Sequence, residues 1–259
     1  EKKGDEIFEK NQNNQYLLLM DEFSFMLDNF EPGGQVDRFL RWFYLKRKQY
    51  GNFHFIIISS IDIGEYVEDK DINSSYFDDL YSIKLDPFDR ETGKLFVESL
   101  LYAYEIYPKE NIAKKIVDLT GYLVPFFLQI FTAEVITYYA KYKSITNKDI
   151  GKIYTNHLLG PDCRRYMDGF YNHIVRHYGE ERARRAKVIL NILSISDKGS
   201  TLNELKSRYK EKLGEIKDFE TVLKYLAFDF YIERKDDRCR FLSPVLREYW
   251  KRYQKYKGG

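Results

Sequence analysis

Two adjacent carboxylates, Asp21 and Glu22, follow the apolar run of residues 16–20. Such a run predicts a buried strand, which delivers the residues after it to the sheet edge where open α/β folds bind ligands. One carboxylate there can hold a magnesium ion through water, and its neighbour can take the proton of an attacking water. The two carboxylates are therefore suited to phosphoryl-transfer chemistry. An equally good interpretation is a strand that simply ends in two polar residues without a chemical role.

Two serines, Ser59 and Ser60, follow a second apolar run at residues 53–58. An amphipathic helix predicted over residues 36–48 separates the two runs, and strand, helix and strand in this order predict parallel, neighbouring strands. The serines and the carboxylates then share one sheet edge, where a hydroxyl can contact a phosphate or the attacking water. The alternative is a serine pair that only caps a loop.

After these two strands and the helix between them, the predicted secondary structure becomes mainly helical. A third strand is predicted over residues 81–85, and Asp89 is the predicted N-cap of the next helix. We therefore expect an α/β core, consisting of a partial parallel sheet, and then an all-α segment. The predicted helices span residues 89–104, 109–119, 125–141, 147–158 and 162–178.

The last part of the chain has a layout of its own. Three predicted helices precede two short strands and a final helix, and this order is typical of a winged helix, a variant of the helix-turn-helix. The predicted helices span residues 181–194, 202–209, 219–227 and 245–253, and the strands span 231–234 and 240–242.

Five stretches together resemble the prokaryotic ATPases of the AAA+/STAND type, in the group that is similar to origin-recognition proteins. Each stretch is weakly specific alone, and the set covers nearly the whole chain. They are LLLMDEF at 17–23, FIIISSIDIG at 55–64, IKLDPFDRETGKLF at 83–96, DLTGYLVPFFLQIF at 118–131 and the winged-helix segment at 225–252.

The resemblance implies roles for particular residues. Asp21 and Glu22 correspond to the Walker B pair, which serves magnesium and the attacking water, and Ser59 or Ser60 corresponds to the sensor 1 residue. Gly121 and Pro125 correspond to the lid motif that contacts the nucleotide. Three residues separate this glycine from this proline, a looser spacing than the family's, and the family commonly has Gly-Ser where this chain has Ser-Ser. ATP and Mg²⁺ are the implied ligands.

The phosphate-binding loop of such ATPases, G-x-x-x-x-G-K-[ST], occurs nowhere in the sequence. The resemblance places the strand before that loop between the sensor 1 strand and the last strand of the sheet. Its loss would leave two unpaired buried edges. We therefore expect this chain to be the later part of a longer protein, in agreement with its polar start and the absence of an initiator methionine, and to be inactive alone.

Three domains are expected from these patterns. Residues 1–88 would form a partial P-loop ATPase core, residues 89–160 a helical lid, and residues 161–259 a linker helix followed by the winged helix. The expected function is an ATP-binding and ATP-hydrolysing molecular switch. The alternative is a non-catalytic DNA-binding or adaptor module whose ATPase half is degenerate.

Charge is unevenly distributed along the chain, although the net charge is only +2. Residues 1–160 carry 19 basic and 25 acidic residues, whereas residues 161–259 carry 23 and 15. A basic second part favours an anionic partner such as DNA, and an uneven solvated surface is an equally good explanation. The candidate DNA contacts are Arg208, Lys210, Arg234, Lys235, Arg238 and Arg240.

Composition limits the remaining possibilities. No apolar run approaches the ~20 residues of a membrane span, and no signal peptide is visible. The two cysteines have no spacing motif, which favours a reducing, cytoplasmic setting without membrane contact. A protein partner or a homo-oligomer is also compatible with the sequence.

Overall fold

The computed structural model divides the chain into two compact units, residues 1–84 and 85–259, here called the first unit and the second unit. It describes residues 14–30, 34–59, 63–161 and 163–253, together with Glu6.

The first unit is built on a parallel pair of strands. Strand β1 pairs with β2 in register from Tyr16 opposite Phe53 to Met20 opposite Ile57. Two helices lie between the strands in sequence, so the predicted strand–helix–strand order and the parallel pairing are confirmed. The elements are β1 (Tyr16–Met20), α1 (Phe23–Asp28), α2 (Gln35–Gln49), β2 (Phe53–Ile57), α3 (Ile63–Asp69) and a 3-10 turn at Ser74–Phe77.

One face of this sheet is covered by helices. Met20 and Ile57 pack against a cluster that includes the buried residues Phe23 and Leu40. The ring of Phe43 from α2 meets the ring of Phe55 edge-on, with centroids 4.9 Å apart. The aromatic-rich sequence of α2 therefore serves as the inner layer of the first unit.

The opposite face of the same sheet is exposed. Leu17 and Leu19 on β1 are 58% and 63% exposed, and Ile56 and Ile58 are each 46% exposed. The prediction of two fully buried strands is therefore wrong for this face. The reason is that a parallel sheet hides its second face only under another layer, and the part of the chain that the structure describes supplies none.

The predicted third strand is also wrong. Residues 81–89 are irregular, and Tyr81, Ile83 and Leu85 are 90%, 74% and 87% exposed. An isolated extended segment has no neighbour for its backbone hydrogen bonds, and the described residues offer it no adjacent strand. The segment therefore has the alternation of apolar and polar residues that is typical of a strand, but it pairs with no strand among the described residues.

The second unit begins with a series of well-capped helices. The side chains of Asp89, Asn111 and Thr146 accept hydrogen bonds from the first turns of the helices that follow them. Residues 154–158 form a π-helical turn that extends α7. The helices are α4 (Arg90–Ala103), α5 (Ile112–Thr120), α6 (Pro125–Tyr142), α7 (Asn147–Ile153) and α8 (Arg164–His177).

The rest of the second unit contains three helices, a three-stranded antiparallel sheet and a last helix. The strand order is β3-β5-β4. The sequence did not predict the short strand β3. The turn between β4 and β5 is shorter than predicted, because Lys235 pairs with Arg238. The elements are α9 (Gly179–Ser194), β3 (Ser200–Thr201), α10 (Leu202–Leu213), α11 (Phe219–Phe228), β4 (Ile232–Lys235), β5 (Arg238–Phe241) and α12 (Pro244–Tyr253).

A single apolar core runs through the second unit. It extends without interruption from Val97 on α4 to Trp250 on α12. The helical segment and the C-terminal segment therefore share one interior, and their division at residue 160 stays a prediction. Within the described part of the chain, no helix has both the length and the apolar character needed to cross a membrane.

Candidate functional site

The ends of β1 and β2 are joined by two backbone hydrogen bonds through one residue. The amide of Ile58 donates to the carbonyl of Met20 at 2.8 Å, and the carbonyl of Ile58 accepts from the amide of Phe23 at 3.0 Å. Asp21 and Glu22 are the two residues between these anchored points. The pair is therefore held at the carboxyl end of β1 by its neighbouring strand, as the sequence predicted.

The backbone of Glu22 has a left-handed conformation, with φ 49° and ψ 44°. A side chain other than that of glycine is strained there, by about 1–2 kcal/mol. The backbone amide of Glu22 donates to Oδ1 of Asp21 at 2.9 Å. This sharp turn, directly before α1, places both carboxyl groups in exposed positions.

A side-chain hydrogen bond adds a third link between the strand ends. Oγ of Ser59 and Oγ of Ser24 lie 2.9 Å apart and form a hydrogen bond, and Ser24 is only 4% exposed. Ser24 is not among the predicted site residues, and its signal in the sequence is a small polar residue on the buried side of the segment after the acidic pair. Ser60, the alternative to Ser59, lies outside the described residues.

The acidic pair fits the requirements of a magnesium ion. Mg²⁺ prefers oxygen ligands, keeps several waters, and is usually held by one or two carboxylates together with substrate phosphates. Asp21 and Glu22 offer exposed carboxylate oxygens with a backbone fixed by β2. The described residues contain no cluster of three acidic, histidine or cysteine side chains for a metal ion, so phosphate and water would supply the other ligands.

The predicted lid residues have clear structural roles in the second unit. Gly121 ends α5 with φ 69°, and a Cβ atom there would lie 2.7 Å from Cγ of Pro244. Pro125 occupies the first turn of α6, where a proline sacrifices no helical hydrogen bond. Close packing and helix initiation explain this glycine and this proline, and their contact with a nucleotide stays a prediction.

Two of the predicted DNA contacts in the hairpin already have acidic partners. Arg234 forms a 2.8 Å ion pair with Glu220, and Arg240 forms a 2.6 Å ion pair with Glu233. These pairs leave less positive charge for a phosphate backbone than the sequence alone indicated.

The other four predicted DNA contacts either lie near acidic residues or lie outside the hairpin. A backbone hydrogen bond from Thr201 is the main cause that lowers the pKa of Glu204, and the charges of Arg238 and Arg208 contribute. Lys235 and Arg238 flank two aspartates, residues 236 and 237, in the hairpin turn. Lys210 is exposed on α10. The structure therefore brings together no purely basic surface from these six residues.

Among solved structures, the chain is similar to a Walker-type ATPase of Pyrococcus abyssi, with a TM-score of 0.65 and 17% sequence identity. The similarity covers 92% of this chain and 63% of that chain. No protein-family model and no curated protein matches the sequence. The chain shares the fold of part of a Walker-type ATPase.

At this identity the similarity concerns the fold alone, and no residue role is transferred by it. This chain spans less than two thirds of the Walker-type ATPase. The acidic pair, the serine after β2 and the exposed sheet face must therefore carry any functional argument by themselves.

Proposed function

We propose that this chain is the part of an ATP-hydrolysing molecular switch that follows the phosphate-binding loop. The observation that carries the proposal is the acidic pair, Asp21 and Glu22, exposed at the carboxyl end of a parallel strand and anchored on both sides to Ile58. The resemblance to AAA+/STAND ATPases supplies the finer assignment. Under it, the three helices and hairpin of the C-terminal segment would be a winged helix.

The chemistry assigned to the site follows from the two carboxylates. Asp21 would hold a magnesium ion through water, since the amide of Glu22 orients its carboxylate by a 2.9 Å hydrogen bond. The ion would supply positive charge beside the phosphate oxygens. Glu22 orients the attacking water and takes its proton, and Ser59 donates a hydrogen bond to the terminal phosphate.

We further propose that turnover requires a phosphate-binding loop outside this sequence. Positioning of the phosphates is the larger part of catalysis in this reaction class, and no G-x-x-x-x-G-K-[ST] is present. The exposed residues Leu17, Leu19, Ile56 and Ile58 support this view. An added helix would give that apolar face the cover that parallel sheets have in other proteins.

The coding sequence around this chain gives the first test. An in-frame phosphate-binding loop upstream of Glu1 is the expected result. In the full-length protein, Glu22→Gln should retain magnesium-dependent ATP binding and lose nearly all turnover, because the amide cannot accept the proton. Asp21→Ala should weaken magnesium-dependent binding. Glu68→Gln, on the exposed surface of α3, is the matched control and should hydrolyse ATP normally. Normal turnover in Glu22→Gln would sink the assignment.

The DNA-binding module is the rival outcome of these measurements. It predicts salt-sensitive binding in a gel-shift assay together with no ATPase activity in the full-length protein. The ion pairs of Arg234 and Arg240 make the hairpin a weak phosphate-binding surface, and we therefore rank the ATPase function first.

A further inference from the structure

The hydrogen bond between Ser24 and Ser59 links the two parts of the proposed site through side chains. Ser24 lies on α1, two residues after Glu22, and the other buried residues of this helix are Phe23 and Leu27. A buried hydroxyl in an apolar setting is tolerated only when it has a hydrogen-bond partner. Here that partner is the residue at the end of the neighbouring strand, at 2.9 Å.

Either hydroxyl of this pair can be the donor. A serine hydroxyl has one proton to donate and can accept at its oxygen, and the two Oγ atoms lie 2.9 Å apart. A phosphate oxygen only accepts, so Ser59 would have to donate its proton to a phosphate that it contacts. Ser24 can then donate to the oxygen of Ser59 and keep the hydrogen bond between the two serines.

We propose that Ser24 is a positioning residue, whose hydroxyl holds that of Ser59 at the end of β2 and becomes its donor when a phosphate occupies the site. This inference rests on the proposed ATPase function. The resulting chain of hydrogen bonds, from Ser24 to Ser59 to phosphate, strengthens the final bond because each donor polarises the next. It also ties the position of Ser59 to the start of α1, directly after Glu22.

Steady-state ATP hydrolysis by the full-length protein tests this inference. Ser24→Ala should lower kcat about tenfold, the effect of roughly one hydrogen bond in the transition state, while KM stays within about twofold. The double variant with Ser59→Ala should be no slower than Ser59→Ala alone, because Ser24 acts only through Ser59. A merely structural serine would lower stability and leave kcat unchanged.

Two further variants separate the possible failures. Ser24→Cys keeps an atom at the hydroxyl position but only a weak donor, so it should reproduce the loss of kcat if the alanine variant folds poorly. If Glu22→Gln abolishes turnover but both Ser24 variants retain full kcat, the role of Ser24 is overturned and the ATPase proposal stands. If Glu22→Gln turns over normally, the ATPase proposal fails and this inference fails with it.

Discussion

The two units of this protein differ in how completely they bury their apolar residues. The second unit has one continuous core from Val97 to Trp250. In the first unit, by contrast, one face of the sheet is covered and the other presents Leu17 and Leu19 to solvent. The second unit therefore buries its own apolar core, whereas the first has an apolar face over which its described residues place no layer.

Backbone strain at the start of a helix occurs in both units. In the second unit, Thr146 and Thr201 begin helices with reciprocal capping boxes, whereas α11 follows Asp218, which has φ 57° and makes no side-chain cap. Helix α1 of the first unit begins at Glu22 in the left-handed region, without a side-chain cap. Strain of this kind concentrates at functional sites, where the surroundings enforce it. Left-handed residues occur in both units, so it is the exposed acidic pair at the strained turn that gives the first unit the features of an active site.

The largest expected effect is on the core of the second unit. Phe131 is fully buried on α6, and Phe131→Ala should reduce the free energy of unfolding by about 3–5 kcal/mol through lost contacts and a cavity. The chain has two tryptophans, Trp42 in the first unit and Trp250 in the second. Urea unfolding followed by Trp250 fluorescence in a Trp42→Phe background measures this loss.

The same variant tests whether the units differ as described. In a Trp250→Phe background, Phe131→Ala should leave the Trp42 transition unchanged if each unit unfolds by itself. A shift of both transitions by the same amount would contradict this, because it would show that the units unfold as one cooperative body.

A smaller loss is expected from the buried guanidinium of Arg185. This side chain is 2% exposed and donates to Glu181 at 2.8 Å, to the carbonyl of Lys217 at 2.9 Å and to Glu215. Arg185→Met should reduce the stability of the second unit by about 2–3 kcal/mol, less than for a wholly buried pair because its carboxylate partners are half exposed. The Trp250 transition in urea gives the value.

Arg184 provides the control for this variant. It also pairs with Glu181, at 3.0 Å, but its side chain is 55% exposed. Arg184→Met should change stability by about 0.5 kcal/mol or less. Equal losses in the two variants would show that burial of Arg185 adds nothing to the second unit.

The sequence predicts elements well where local signals determine them. The caps at Asp89 and Thr146 and the proline that begins α6 each act within one helical turn, and all three helices form where expected. The parallel pairing of β1 with β2 also follows from the order of the elements. These features need no information from distant parts of the chain.

The missed features depend on partners that are distant in sequence or absent from it. The segment at residues 81–85 alternates like a strand, but a strand requires a neighbour. The role of Ser24 depends on its hydrogen bond to Ser59, 35 residues later, and its position after the acidic pair indicates only a small polar residue on the buried side. The ion pairs of Arg234 and Arg240 likewise arise from folding and reduce the basic charge that composition suggested.

A third prediction concerns the strain at Glu22. Glu22→Gly should stabilise the first unit by about 1 kcal/mol relative to Glu22→Ala, because both remove the carboxylate and only glycine adopts φ 49° without steric conflict. The Trp42 transition in urea measures the difference. Equal stability of the two variants would mean that the left-handed turn at Glu22 stores no strain.

The smallest change in stability is expected from a substitution on the exposed face of the sheet. This substitution tests whether another layer covers that face in the full-length protein. In this chain Leu19→Ser should change stability by about 0.5 kcal/mol or less, since Leu19 is 63% exposed. Leu18→Ser, on the covered face of the same strand, should reduce stability by about 2 kcal/mol. In the full-length protein, however, Leu19→Ser should become as damaging as Leu18→Ser, because an added layer would bury it. If Leu19→Ser leaves the stability of the full-length protein unchanged, this face of the sheet remains exposed to solvent there. The proposal that an added layer covers it would then be wrong.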